Sequence, residues 1–301
     1  MIKVSIPLAA ALALSLPLVA QSRPEQPRVI DSTALLRDLS VLAADSMEGR
    51  EAGTPGGARA RAYLLDRLRA LGLAPQLQSF DLPSRVGLAP REAVNVLAEI
   101  AGTAAGLGVI VVSAHYDHIG VGTGDVFNGA DDNASGSAAL LAFAAHLIKQ
   151  PLTHRVVLAW WDAEEKGLLG AKAWVAAPTV PLERVALNVN MDMVGRNAAG
   201  ELYVAGGAKY PALEPILRSV AAHALVTLKL GHDAGAAQDD WTMQSDQGVF
   251  HAKKIPFAYF GVEDHADYHK AGDEVTKIEP SFFVRAVETI MAALRALDRG
   301  V

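Results

Sequence analysis

Between Gly108 and Gly261, short β-branched or apolar runs alternate with helix-like stretches, and this alternation limits the possible folds more than any other feature. Val109–Ser113 and Arg155–Trp161 are near-continuous apolar runs, which suits strands covered on both faces. Val185–Met191, Leu202–Ala205, Val226–Leu230 and Pro256–Gly261 read as further strands. Gly136–Ile148, Glu165–Ala176, Pro211–Ala224 and Ser281–Leu297 carry helical patterns between or after them. Upstream, Asp31–Leu42 and Gly57–Leu71 show helical spacing, and Gln76–Leu82 with Ala93–Ile100 reads as a pair of short strands in an edge hairpin. The expectation is one α/β domain with a mostly parallel central sheet.

Composition narrows the chemistry. The 301 residues are 51% hydrophobic and 20% charged, enough for one large core. A net charge of −6 without basic runs gives no electrostatic footprint for nucleic acid. Cysteine is absent, so disulfides, thiolate ligands and cysteine nucleophiles are excluded. Lys3, the apolar run Val4–Ala20 and the abrupt polar switch at Gln21 read as a secretory leader ending at Ala20, with 21–301 as a single domain. The run is short for a membrane span and holds Pro7 and Pro17. A periplasmic or secreted protein without lasting membrane association is expected.

In doubly wound sheets, ligands bind beyond the carboxyl ends of the strands. The sequence places acids and histidines at each such end. The first strand leads to His115-Tyr116-Asp117-His118 and then Asn128-Gly129-Ala130-Asp131-Asp132-Asn133-Ala134-Ser135-Gly136. The second leads to Asp162-Ala163-Glu164-Glu165, the third to Asp192, and the last to Glu263-Asp264-His265-Ala266-Asp267-Tyr268-His269. Each taken alone is an ordinary surface pair or helix cap. Their concentration on one rim is not.

These runs, with Trp161–Gly170, Asn190–Arg196 and Asp267–Asp273, resemble the secreted bacterial dizinc aminopeptidases. Glutamate carboxypeptidase II, glutaminyl cyclase and the transferrin receptor ectodomain share that fold. The similarity extends from Asp45 to Ile278. It implies a three-layer sandwich, a mixed and mostly parallel sheet between helices, and two zinc ions per chain. It also implies roles: His115 and Asp192 complete one zinc site, Glu165 and His269 the other, and Asp131 is shared. Glu164 is the implied general base, Asp117 orients His115, Tyr268 steadies the oxyanion, and Asp132 is structural across a cis peptide. Peptides are the implied substrates.

Other readings follow from the same resemblance: a carboxypeptidase or dipeptidase with Arg196 or Lys253 holding a terminal carboxylate, a single-zinc glutaminyl cyclase, or an inactive binding domain. The last would be expected to lack ligands, and none is lost. Gly-x-Ser-x-Gly and His-Glu-x-x-His are absent. Relatives often carry Ser-Asp-His where this chain has Ser245-Asp246-Gln247, a change expected at the substrate pocket, with Trp241 and Phe250 beside it. His118 and His265 adjoin the expected ligands, whereas His232 and His251 have no evident partner.

Overall fold

The computed structural model describes residues 1–2, 29–83, 91–235 and 239–301. The expected leader at Val4–Ala20 lies outside the described residues. In chain order the elements are α1 (Ser32–Leu42), α2 (Pro55–Ala70), β1 (Gln76–Asp81), β2 (Glu92–Ile100) and β3 (Val109–His115). A two-stranded hairpin, β4 (Gly120–Val121) and β5 (Val126–Phe127), precedes α3 (Gly136–Leu147) and β6 (Arg155–Trp161). Then come α4 (Leu169–Ala176), β7 (Val185–Met191), β8 (Glu201–Ala205), α5 (Glu214–Ala221), β9 (Thr227–Leu230), α6 (Gln247–His251), β10 (Phe257–Gly261) and α7 (Pro280–Asp298).

Eight strands form one mixed sheet in the order β1-β2-β6-β3-β7-β10-β8-β9. The central four, β6, β3, β7 and β10, run parallel, while β1, β2 and β8 join antiparallel to their inner neighbours. Alternation along each strand sorts the core into two layers. Ile110, Val112, Val156, Leu158 and Trp160 face a cluster built with α1, α2, α3 and α7. Val109, Val111, Val157, Ala159 and Trp161 face a smaller one with Ala171, Trp174, Val249 and Phe250 from α4 and α6. The expected three-layer architecture is the observed one.

Two helices are shorter than their patterns suggest. Glu165–Leu168 is a turn, and helix begins only at Leu169, because Gly167 and Leu168 take positive φ values of 97° and 60°. Pro215 lies in the first turn of α5, so the helix spans Glu214–Ala221 rather than Pro211–Ala224.

One buried cation ties the layers to the functional rim. Arg50, fully buried, donates to the carbonyls of Tyr116 (2.8 Å), Leu42 (2.8 Å), Asn128 (2.6 Å) and Gly129 (2.9 Å). It links the end of α1 to the loops leaving β3. Removing it strands several buried acceptors and leaves nearby acids uncompensated. Arg50→Met is expected to destabilise the protein by about 3 kcal/mol or more. Arg50→Lys should recover little of this, because an ammonium cannot span the four carbonyls. Denaturant unfolding of both variants checks it; wild-type midpoints would contradict the assignment.

Candidate metal centre and active site

The four parallel strands sit side by side, so their carboxyl ends open on one rim. His115 is the last residue of β3, and Asp192 follows β7 directly. Glu164 and Glu165 leave β6 after Asp162, whose carboxylate accepts from the Val94 amide and the Tyr116 hydroxyl. Each exit turns through a left-handed residue: Gly129 (φ 52°), Ala163 (φ 58°), Met193 (φ 59°) and His269 (φ 54°). Such backbone costs a non-glycine residue on the order of 1 kcal/mol. At Gly129 a Cβ would stand 2.0 Å from the Asp132 carbonyl oxygen and 2.5 Å from the His118 ring.

Two clusters share one carboxylate. His115 Nε2 lies 3.3 Å from Asp132 Oδ1 and 3.2 Å from Asp192 Oδ1. His269 Nε2 lies 3.1 Å from Asp132 Oδ2 and 3.3 Å from Glu165 Oε2. Of the five expected ligands, His115, Glu165, Asp192 and His269 therefore converge. Asp131 does not, and the structure corrects that expectation. Its Oδ1 accepts from the Gly195 amide at 2.6 Å, and its Oδ2 faces His265 Nε2 at 3.4 Å. Asp132 occupies the shared position. The cis peptide falls at Asp132–Asn133, one residue later than expected. The reason lies in the backbone: the amides of Asp131 and Asp132 both donate to Asp273, and the two side chains leave that anchor in different directions. On sequence the two adjacent aspartates were not distinguished, and Asp273 and Arg50 were assigned no role, although both lie within the span of the resemblance.

Asp117 lies beside His115 and meets it chiefly through its backbone. The His115 ring donates from Nδ1 to the backbone carbonyl of Asp117 at 3.1 Å, and the carboxylate oxygen is farther, at 3.7 Å. That carboxylate accepts from the Glu164 amide at 3.0 Å, so it positions the neighbouring loop. Tyr268 stacks on His269, with ring centroids 4.0 Å apart. Burial, then Asp132 and Asp192, raises its phenol far above the ordinary value, so it stays an O–H donor at neutral pH.

Electrostatics follow from crowding. Burial pushes the Glu164 carboxyl well above its usual range; Asp246, Asp192 and Glu165 add to this and His115 opposes it. Burial likewise raises Asp131 to about 6 and holds the fully buried Asp246 well above the usual range. At Asp132 burial is outweighed by His118, His115 and His269, which draw it well below its ordinary value. Burial would lower His115, but Asp192 and Glu164 pull it well above.

The donor set suits a borderline divalent ion. It is imidazole and carboxylate alone, and two ligands of one tetrahedral zinc stand about 3.3 Å apart. The four ligand-to-ligand spacings in the two clusters, 3.1–3.3 Å, match. A cavity of about 340 Å³ opens over both clusters and includes Leu168, Trp241, Met243, Tyr259, Val262 and Asp264 in its walls. Trp241 thus lines it as expected. Phe250 does not: it packs on Trp161 and Trp174 across the sheet. Gln247 is buried, accepting from Asn190 Nδ2 (3.0 Å) and donating to the Trp241 carbonyl (2.7 Å). It therefore braces the wall rather than touching the cavity. His232 stacks on Trp241 and His251 meets the Tyr210 hydroxyl.

The family model described as Peptidase family M28 matches residues 95–294. Leucine aminopeptidase 2 of Trichophyton rubrum is 32% identical over 181 residues, covering 58% of this chain and 31% of that protein. The chain thus spans about a third of the length of that curated relative. Among solved structures, a zinc aminopeptidase from Bacillus subtilis superposes with a TM-score of 0.74 at 18% identity, over 88% of this chain and 95% of that one. A glutaminyl cyclase from Porphyromonas gingivalis does so with a TM-score of 0.74 at 21% identity, over 91% of this chain and 100% of that one. These likenesses establish the fold.

Two outcomes are expected. Asp132→Asn should abolish tight zinc binding, whereas Asp131→Asn should leave it intact; metal analysis after dialysis separates the cases. Hydrogen bonds to Asp132 and Glu165 hold the His269 imidazolium up to about 10 in the metal-free protein. That proton must leave before the ring can bind an ion, so zinc affinity rises with pH, by about tenfold per unit for each proton displaced. Calorimetric titration between about pH 6 and 8 measures the slope, and a flat profile would contradict it.

Proposed function

Because the chain belongs to peptidase family M28, we propose that it is a dizinc aminopeptidase that removes N-terminal residues from peptides. His115, Asp132 and Asp192 would hold one zinc, and Asp132, Glu165 and His269 the second. Bound there, such a pair supplies Lewis-acid polarisation of a carbonyl and acidifies water. The protein's own part is proton handling and orientation. Glu164 accepts a proton from the attacking water and passes it to the departing amine. Its burial-raised pKa suits a group that must hold that proton between the two steps. Tyr268 offers a neutral O–H donor to the oxyanion.

The observation carrying the choice of chain end is the charge of the cavity wall. Asp132, Glu164, Glu165, Asp192 and Asp264 line it, and no lysine or arginine does so among the described residues. A cationic α-amine is matched there; a terminal carboxylate would be repelled. Arg196, the candidate carboxylate clamp, donates instead to Asp267 at 2.8 Å, and Lys253 is exposed at the end of α6. The walls Leu168, Met243, Tyr259 and Val262 suit an apolar first side chain. Two histidine–carboxylate clusters joined through Asp132 also favour this reading over a single-zinc cyclase. The apolar run Val4–Ala20 supports export, and no described helix is long and apolar enough to cross a membrane.

Glu164→Gln is expected to lower kcat by about 10² to 10⁴ while both zincs stay bound. Zinc-loaded protein should cleave free-amine aminoacyl substrates and leave N-blocked peptides intact. Cleavage of blocked peptides alone, or ammonia release from N-terminal glutamine with one zinc per chain, would overturn the reading.

A further inference from the structure

His118 is a fully buried imidazole beside the second cluster that the mechanism above does not use. Its Nδ1 lies 2.7 Å from Glu165 Oε1, the oxygen turned away from His269, and 3.7 Å from Asp132 Oδ2. The far nitrogen, Nε2, has no hydrogen-bond partner among the described residues. With no acceptor there, the proton belongs on Nδ1, and the ring donates to Glu165. Its place is fixed by packing: the ring stands edge-on to His269 at 5.9 Å, and a Cβ at Gly129 would collide with it.

Donor atoms of His118, Asp132 and Glu165 all lie within 4.8 Å of one another, so a direct metal ligand is the competing role. The spacings argue against it. Two ligands of one tetrahedral zinc stand about 3.3 Å apart, whereas 2.7 Å is a charge-assisted hydrogen bond and 3.7 Å to Asp132 is neither.

Resting on the two-zinc reading above, we propose that His118 is a positioning residue: its hydrogen bond to Oε1 holds Glu165 to one-oxygen binding at the second zinc. A carboxylate free to rotate can offer both oxygens and fill the position a substrate needs. Pinning Oε1 leaves Oε2 alone for the ion and keeps that position open. Partners of this kind are worth about 10- to 100-fold in metal affinity.

The test is chelator competition on the full chain for each of the two zincs, with cobalt absorption spectra beside it. His118→Ala should weaken the second zinc by about tenfold or more and leave the first within about twofold. His118→Asn places an amide donor near the position of Nδ1 and should restore most of the affinity with a wild-type cobalt spectrum. His118→Gln reaches the wrong position and should behave like alanine. Should the alanine variant fail to fold, the asparagine–glutamine contrast carries the same comparison. Unchanged affinities in His118→Ala overturn this proposal while sparing the two-zinc reading. Loss in His118→Asn equal to that in alanine, with an altered cobalt spectrum, makes the ring a direct ligand and also overturns it. A wild type holding only one zinc sinks the two-zinc reading, and this proposal with it.

Discussion

The structure turns on how the fold tolerates carboxylates packed out of water at one rim. Asp117, Asp131, Asp132, Asp192, Asp246 and Asp273 are all buried there, with Glu164 and Glu165 beside them. Like charges at this spacing cannot all ionise in a poorly screened site without compensation. Arg50 supplies a buried positive charge, and its own pKa falls to about 10 because burial outweighs the attraction of Asp132 and Asp273. Histidines 115, 118, 265 and 269 supply shared protons or bare nitrogens. Crowded imidazole and carboxylate donors of this kind suit a divalent ion, which is why the set reads as a candidate metal centre and not as a cluster of caps.

The sheet makes the crowding possible. Four adjacent parallel strands bring their ends together, and a left-handed residue bends the chain in each of the segments that leave them. Glu164 and Glu165 show the economy of this. One turn held by the Asp117 carboxylate and closed by Gly167 directs one acid to the second cluster and the other to the cavity. The helix expected from Glu165 onward starts later because this turn takes its residues. A local propensity gave way to a requirement of the site.

Much of this was legible in the sequence. The β-branched runs at Val109 and Arg155 mark buried strands because both faces of the sheet are covered, and the two core clusters use alternate residues of the same runs. Four of the five converging residues are visible as acids and imidazoles at strand ends. The exchange of Asp131 for Asp132 was not visible. Neighbouring aspartates are chemically identical, and only the Asp273 anchor and the turn at Gly129 decide which one faces the histidines. Gln247 was placed near the substrate on sequence grounds, yet its amide is spent inside the wall.

By itself, the sequence determined the α/β architecture, the absence of thiol chemistry and the supply of nitrogen and oxygen donors to one rim, because periodicity and residue type are local properties. Tertiary structure decided which aspartate is shared, that the His115 ring leans on the Asp117 carbonyl, that His118 meets Glu165, and that the cavity wall gathers five carboxylates and, among the described residues, no lysine or arginine. Those are matters of direction and distance between residues tens to hundreds of positions apart. They are set only when long-range partners such as Arg50 and Asp273 fix the loops in space.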